Sequence, residues 1–576
     1  MFRLHKPLDA SLREALSLHD DLTAALLARR GITTAEEAAA FLSPSYDDHV
    51  GDPLSMKGMG RAARRIARAL DSSERIAVWS DYDCDGVPGG ALLHDFLKKA
   101  DANFTNYIPH RHLEGFGLNT DGIDTLAKDG VSLIITVDCG IADAAPVAHA
   151  NEVGVDVIIT DHHLPNASLP KAYAVVDPKQ EGETYPFRDF CGAGLAWKLV
   201  CAVLAIGFST RENIPEGWEK WLLDMAGLAT IADMVPLLGE NRVIASYGLL
   251  VMRKSPRIGF QKLCKTARVN QRFLTEDDVG FMLAPRVNAA SRMDDAMAAF
   301  ELFTTTDESR AEELAKKLES DNRSRRSQGA AVTRAVRTRL EKRLEEGELP
   351  PVIAMGDPDW RPGLLGLVAN SVAEEHGRPV FLWGREGGAT LKGSCRAGVP
   401  DVSVVELMET ADDVFVECGG HAAAGGFTLR DDAVFFLEEK LCEALEKLPS
   451  AGERTGTREA DAELLASTRL SSELSRIEKL APFGMGNPKP SYVLHEINLQ
   501  KVSWFGKGEE HLRISFLRGN DHTDEIMEAI AFYAKRTLGD RCMKLEPGLT
   551  LNVLGNLERD HFTRGRPVRL RLLAIA

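Results

Sequence analysis

The sequence predicts an α/β protein of several domains, and three observations carry that prediction. The chain has 576 residues, more than one hydrophobic core usually organises. From residue 51 to about 240, segments with helical apolar spacing alternate with short extended ones, the pattern of a parallel sheet with crossover helices. Extended segments such as "LIITV" (133–137) and "VIIT" (157–160) are apolar and β-branched, as strands covered on both faces must be.

Residues 1–50 read as a helical segment. "SLREALSLHDDLTAALLARRG" (11–31) keeps helical spacing and stops at Gly31, and "TTAEEAAAFLSP" (33–44) opens on capping threonines and closes on Pro44. In the α/β region, "MGRAARRIARAL", "GGALLHDFLKKA", "GIDTLAKDG" and "AAPVAHANEVG" are the helices, and "RIAVWS", "NFTNYIP", "VSLIITVD", "VDVIITD" and "AYAVVD" the strands. Residues 241–345 are mostly helical and end in "RSRRSQGAAVTRAVRTRLEKR" (323–343). A second strand–helix unit opens at "PPVIAMGD" (350–357) and runs to about 448, and polar "PSAGERTGTREA" (449–460) reads as a linker. Beyond it, "SYVLHEINLQKVSWFG", "HLRISFL", "IMEAIAFY", "LTLNVLGNLERD" and "RPVRLRLLAI" suggest a small β-barrel, a class that includes the OB-fold.

Charge and cysteine usage bound the function. A net charge of -16 argues against a nucleic-acid partner unless basic residues are gathered locally. Two segments offer this, the arginine-rich 323–343 and "RDHFTRGRPVRLRL" (559–572), although either also reads as a solvated helix face or a strand edge protected by charge. Nine cysteines with no C-x-x-C pair argue against a disulfide framework and against structural zinc. The start lacks the features of a signal peptide, and the most apolar helix-like run, "LAWKLVCAVLAIGF" (195–208), contains Lys198 and is too short to span a bilayer. The expectation is a cytoplasmic protein with no membrane partner.

The strands of the first α/β unit share one peculiarity: they end in acid or imidazole. "RIAVWS" is followed by Asp81, Asp83 and Asp85, "LIITV" by Asp138, "VIIT" by Asp161, His162 and His163, and "AVV" by Asp177. Crowded carboxylates repel one another unless a cation or hydrogen bonds compensate. In a parallel α/β sheet the carboxyl ends of the strands line one edge, so these groups converge. A single Asp there reads first as a helix cap or a loop hydrogen bond; the whole set together does not. Four or more carboxylates with two imidazoles, and no thiolate set, match Mn²⁺ or Mg²⁺. Two such ions about 3.5–4 Å apart would neutralise the shared carboxylates and activate water for in-line attack on a phosphodiester.

"DYDCDG", "VDCG" and "TDHHLP", with "LATIADMVPLLGENR" carrying Asp233, resemble the four motifs of the DHH phosphoesterases in spacing and order. The resemblance extends over nearly the whole chain to the RecJ single-strand-specific exonucleases, through "HRHLEGFGLN" (Arg111, Glu114, Gly115), "PRVNAASRM" (Arg286, Asn288, Arg292), "GSCRA" (Ser394, Arg396), "CGGHAAAGGF" (Gly419, Gly420, His421) and "LAPFGMGNPKP" (480–490). It implies an N-terminal helical segment (1–50), a DHH catalytic domain with a parallel sheet (51–305), a basic connecting helix (306–345), a DHHA1 α/β accessory domain (346–450) and a C-terminal OB-type β-barrel that binds nucleic acid (455–576). The DHH motifs alone also fit short-oligonucleotide phosphatases, cyclic-dinucleotide phosphodiesterases and pyrophosphatases; the flanking helices and the barrel favour RecJ.

Position by position, the resemblance implies that Asp83, Asp85, Asp138, His162 and Asp233 ligate two Mn²⁺ or Mg²⁺ ions, with Asp138 bridging. Asp81 and His163 are next in line as ligands or phosphate contacts, and Asp161 is a neighbour suited to orienting the ligating imidazole. His421, with Gly419 and Gly420, would reach a phosphate. Ser394 and Arg396 would grip a 5′ phosphate, with Arg111 and the Arg286/Arg292 pair as further clamps. Asp138, His162, His163 and His421 are thereby the catalytic candidates. Trp504, Phe505 and Phe516 read either as stacking faces for unpaired bases or as barrel core.

The implied activity is metal-dependent 5′ to 3′ degradation of single-stranded DNA to 5′ mononucleotides, in recombination and repair, by a monomer working beside a helicase and a single-strand-binding protein. Two other readings stay open: a nanoRNase-like or cyclic-dinucleotide phosphodiesterase, and a catalytically silent DNA-binding scaffold. Two departures stand out. Trp360-Arg361-Pro362-Gly363 occupies a place where the family usually has Trp-His, and "SDYDCDGVPGG" departs from the residues that commonly flank the first motif.

Overall fold

The structure, a computed structural model, describes all residues except 1, 386–387, 389, 449–457, 466, 507, 519–524, 561–562 and 564–566. Most of the expected linker at 449–460 therefore lies outside the described residues, as does part of the basic segment 559–572. The chain divides into two compact units, one comprising Met1–Val287, Ala296–Ala315 and Gly456–Ala576, the other Asn288–Asp295 and Lys316–Thr455.

The first unit is built on a five-stranded sheet in the order Phe104–Tyr107, Arg75–Ser80, Val131–Val137, Asp156–Thr160, Ala174–Val176, every pairing parallel. Its central strands are buried along almost their whole length, which accounts for their apolar, β-branched composition. Helices Gly86–Lys99, Gly192–Ile206 and Leu223–Ala232 pack beside it with most of their residues buried.

The N-terminal segment has the expected short helices, with a strand before them. The stretch 11–31 forms two helices, Ala10–Ala15 and Asp21–Ala28, because the Asp20 carboxylate caps the second by accepting from the Thr23 amide at 3.1 Å. Before them, Phe2–Leu4 is a strand, paired in parallel with Arg458–Ala460. Three residues without periodicity have no preference of their own; a partner far along the chain supplies it.

The C-terminal strands close into a barrel. Ser491–Phe505, His511–Arg518, Glu525–Ala531, Val568–Ile575 and Thr550–Arg559 follow one another in the sheet, and the last pairs back onto the first. Closure is possible because Ser491–Phe505 is 15 residues long: its first part pairs with Thr550–Arg559 and its second with His511–Arg518. Phe516 is fully buried in this barrel's core, so it offers no stacking face, while Trp504 packs half-buried against that core.

The segment 480–490 ties the barrel to the rest of the unit. Asn487, fully buried, donates to the Leu480 and Pro482 carbonyls at 2.7 Å each and accepts from Arg30 Nε at 2.5 Å. Arg242, equally buried, donates to the Phe41 and Ala481 carbonyls at 2.5 and 2.8 Å and lies over the Phe41 ring. The Met485 carbonyl accepts from the Leu237 amide at 2.8 Å, which pins the loop that follows Asp233.

The second unit carries a five-stranded sheet in the order Phe415–His421, Ala424–Leu429, Leu391–Arg396, Val380–Gly384, Ile353–Gly356; only the last pairing is parallel. The arginine-rich region forms the C-terminal part of the 39-residue helix Glu308–Glu346. Several of its arginines are held in ion pairs: Arg337 with Glu375 at 2.7 Å, Arg339 with Asp357 at 2.6 Å and Arg343 with Glu438 at 2.7 Å. In the barrel, Arg559 pairs with Glu478 and Arg569 with Glu558 and Asp560. Among the described residues, both basic segments thus commit several arginines to ion pairs within the fold.

Removing the Asn487 side chain strands two carbonyls and a buried guanidinium. Asn487→Ala is expected to lower the unfolding free energy by about 2–4 kcal/mol, measured by denaturant titration of the full chain.

Candidate metal centre and phosphate contacts

The carboxyl ends of the parallel strands bring the expected acids and imidazoles together in the first unit. His162 Nε2 lies 3.1 Å from Asp138 Oδ1 and 3.7 Å from both Asp85 Oδ2 and Asp233 Oδ2. Ligand atoms of three trios each fall within 4.8 Å of one another: Asp81, Asp83 and Asp138; Asp85, His162 and Asp233; Asp138, His162 and His163. Asp138 and His162 each belong to two trios, so the groups form one continuous cluster. Asp177, by contrast, joins none of these trios among the described residues; its Oδ1 accepts from the Lys179 amide at 2.7 Å.

The backbone holds each acid in place. Asp83 Oδ1 accepts from the Asp85 and Gly86 amides at 2.7 and 3.2 Å. The two Asp85 oxygens accept from the amides of Gly192 and Ala193 at 2.6 and 2.7 Å, at the start of helix Gly192–Ile206, where free amides and the helix dipole favour an anion. Position 192 must be glycine: a Cβ there would lie 2.5 Å from Asp138 Cβ. Asp138 itself adopts φ 62°, a left-handed conformation braced by Thr136, whose hydroxyl donates to the Cys139 carbonyl at 2.7 Å.

Asp161 does not orient the imidazole expected of it. Its Oδ1 faces His163 Nδ1 at 2.8 Å and accepts from the His162 amide, and its Oδ2 accepts from the Ile141 amide at 3.0 Å. The carboxylate therefore fixes the His163 ring and only the backbone of His162; sequence order alone could not tell which imidazole it would meet.

Electrostatically the cluster is strained. Burial, reinforced by Asp83, pushes the Asp85 carboxyl up to about 7; burial together with Asp85 and Asp83 pushes Asp233 up to about 9. Burial and then the neighbouring acids also raise Asp81 and Asp138 well above the usual carboxylate range. Burial works against the charged form of His163, but the hydrogen bond and charge of Asp161 outweigh it and raise the imidazole to about 9. Asp81 Oδ1 and Asp138 Oδ1 are buried oxygens that accept no hydrogen bond. Buried, repelling carboxylates with unused lone pairs, joined by imidazole and free of thiolate, are a donor set that fits hard-to-borderline divalent ions.

At the rim, Arg111 lies over the Tyr82 ring at 4.7 Å, Tyr82 faces the edge of Phe116 at 6.4 Å, and Phe116 meets His163 at 5.7 Å. Phe116 was not among the sequence candidates, although it sits inside "HRHLEGFGLN"; an aromatic side chain there carried no signal of exposure. Arg286 belongs to the first unit, where it donates to the Met282 carbonyl.

In the second unit, register aligns the other candidates. His421 is opposite Ala424, which is opposite Arg396, and Gly419 is opposite Gly426, which is opposite Ser394. Directly opposed residues share a sheet face, so Ser394, Arg396 and His421 project from the same side, with His421 and Arg396 two strand spacings, about 10 Å, apart. Gly420, between Gly419 and His421, falls on the other face. A Cβ added to Gly366 of helix Pro362–His376 would be 3.0 Å from Arg396 Nη2 and 3.5 Å from Ser394 Oγ, and Arg292 donates to the Gly363 carbonyl at 2.8 Å. Arg292 thus joins the Ser394–Arg396 neighbourhood, while Arg286 is part of the other unit.

A parallel sheet whose strands end in this acid and imidazole cluster defines the class: a DHH phosphoesterase. Residues 75–230 match the DHH family, N-terminal domain, residues 349–451 the DHHA1 domain, and residues 460–573 the RecJ OB domain. The chain is 33% identical to the single-stranded-DNA-specific exonuclease RecJ of Bacillus subtilis over 98% of its own length and 68% of that protein's, and 30% identical to its Escherichia coli counterpart over 85% of each. The crystal structure of RecJ in complex with Mn²⁺ from Thermus thermophilus superposes with a TM-score of 0.80 at 26% identity, over 100% of this chain and 79% of that one. This chain belongs to the RecJ family.

The raised carboxyls set a pH dependence. Below the ordinary carboxylate range both folded and unfolded chains hold these protons; as pH rises, the unfolded chain releases them first, so stability is lost through about 7 and about 9 as Asp85 and Asp233 ionise in the fold. Melting temperature without divalent ions is expected to fall from pH 6 to pH 9, and saturating Mn²⁺ to remove or reverse that fall, as read by scanning calorimetry.

Proposed function

We propose that this protein is a metal-dependent exonuclease that degrades single-stranded DNA from the 5′ end to 5′ mononucleotides, in recombination and repair. The observation that carries this reading is the continuous, partly buried cluster of Asp81, Asp83, Asp85, Asp138, His162, His163 and Asp233, in a chain whose relatives are named single-stranded-DNA-specific exonucleases. We assign Asp81, Asp83, Asp85, Asp138, His162 and Asp233 as the residues that hold two Mn²⁺ or Mg²⁺ ions, with Asp138 shared. Bound there, the ions supply positive charge to the acids and Lewis acidity toward water and the phosphoryl oxygens.

The chain's own groups do the rest. The α-helical amides at Gly192 and Ala193 keep Asp85 oriented whether or not it is charged. Asp161 holds a proton on His163 Nδ1, which supports its positive charge and leaves Nε2 for a phosphate oxygen. Arg111, fixed over Tyr82, presents a guanidinium at the same rim, and Arg286 adds a second in that unit. On the second unit, Ser394, Arg396, Gly419 and His421, with Arg292, form a phosphate-binding face, with Gly420 in the same strand: cationic and hydroxyl donors beside a backbone bare of side chains at the two glycines.

No helix among the described residues is long and apolar enough to cross a membrane. We place the protein in the cytoplasm as a monomer whose expected partners are a helicase and a single-strand-binding protein.

The test is digestion of end-labelled single and double strands, with polarity read from the products. Expected are mononucleotides released from the 5′ end of single strands, abolished by chelator and by Asp138→Ala, and a loss of about 10–100-fold for Asp161→Asn, which removes the carboxylate that holds the His163 ring and the His162 backbone at the cluster. Activity confined to dinucleotides would favour a short-oligonucleotide phosphodiesterase, and binding without hydrolysis a DNA-binding scaffold.

A further inference from the structure

Beside the candidate metal centre the molecule exposes apolar side chains where a polar rim would be expected of an acid cluster. Phe116 is 50% exposed, Leu164 65% and Met234 64%. Scattered exposed apolar residues are ordinary, but each of these adjoins the cluster: Leu164 follows His163, Met234 follows Asp233, and the Phe116 ring meets His163 edge-on at 5.7 Å.

The loop is constructed to hold Phe116 out. Gly115 and Gly117, on either side, have φ 87° and 83°, conformations that side chains with a Cβ rarely adopt. The flanks are tied down: Glu114 accepts from the Tyr107 hydroxyl and, at 2.6 Å, from the His110 amide, and Asp143 accepts from the Leu118 amide at 2.7 Å. A Cβ on Gly117 would lie 2.5 Å from that Asp143 carboxylate. A rigid loop presenting a half-exposed aromatic ring, between a histidine of the acid cluster and an arginine stacked on Tyr82, joins a flat apolar surface to a site for phosphate.

We infer that Phe116 is the platform on which the base of the nucleotide being removed stacks, with Leu164 and Met234 completing an apolar seat beside the metal centre. This inference rests on the proposed nuclease function and adds to it a contact for the terminal base within the first unit alone. Every base has a π face, so the seat is tolerant of sequence. Phe116 touches the base and not the reacting atoms, and is a specificity-determining residue.

The test compares a 5′-phosphorylated single strand with the same strand carrying an abasic residue at its 5′ end, using the full chain and its Phe116→Ala and Phe116→Trp variants. Thermal stabilisation by Mn²⁺ serves as the check that fold and metal centre are intact. Phe116→Ala is expected to lower kcat/KM on the intact strand by about 5–150-fold, the range for one stacked base, to cleave the abasic-ended strand at the rate of the unsubstituted chain, and to be rescued by Phe116→Trp. An equal loss on both strands, no loss on either, or failure of Trp to rescue overturns the inference while leaving the nuclease assignment standing. Absence of cleavage of either strand by the unsubstituted chain overturns that assignment, and this inference with it.

Discussion

The mutual repulsion of buried carboxylates is the constraint on which the rest of the first unit depends. Asp81, Asp85 and Asp138 are nearly sealed from solvent, and beyond burial the charge of Asp83 raises the cost of ionising all three, with Asp85 and Asp81 adding to that of Asp138. A fold that maintains such a cluster must hold its members by groups that do not depend on their charge. Backbone amides do this for Asp83 and Asp85, and the left-handed turn braced by Thr136 does it for Asp138. The result is a site organised in advance of any cation, which lowers the conformational cost of binding one.

Elements remote in sequence take part in this organisation. Asp233 lies at the end of helix Leu223–Ala232, and the loop beyond it is hydrogen-bonded to Met485, at the entrance to the barrel. That entrance is in turn fixed by Asn487, Arg30 and Arg242, two guanidiniums bonded to amide and carbonyl oxygens rather than to carboxylates. Burial lowers the pKa of both arginines, to about 10 and about 9, which leaves them charged at neutral pH. The N-terminal helices and the barrel thus contribute to the geometry of an acid that neither of them contains.

The acidic balance of the chain, which argues against a nucleic-acid partner, also has a structural explanation. Many arginines of the two basic segments are neutralised by Glu375, Asp357, Glu438, Glu478 and Glu558, so they do not give the protein a broad basic surface. The arginines proposed for phosphate, Arg111, Arg292 and Arg396, have backbone or aromatic partners instead. Charge counted over a whole chain is a poor guide where the cations that matter are few.

By itself the sequence determined the alternation of elements, the parallel sheet and the convergence of its acids. Each parallel crossover returns the chain in the same direction, so residues at strand ends are brought to one edge, although Asp177 at that edge joins none of the trios. It was likewise sufficient for the barrel, whose short strands are legible from period and turn residues. Tertiary structure alone decided which partner each side chain received: that Asp161 holds His163, that Phe516 is core, that Arg292 joins Ser394 and Arg396, that Phe2–Leu4 finds Arg458–Ala460, and that Phe116 stands in solvent. Periodicity records which face of an element is buried, whereas hydrogen bonds, ion pairs and exposure at a loop are settled by neighbours through space that no local pattern encodes.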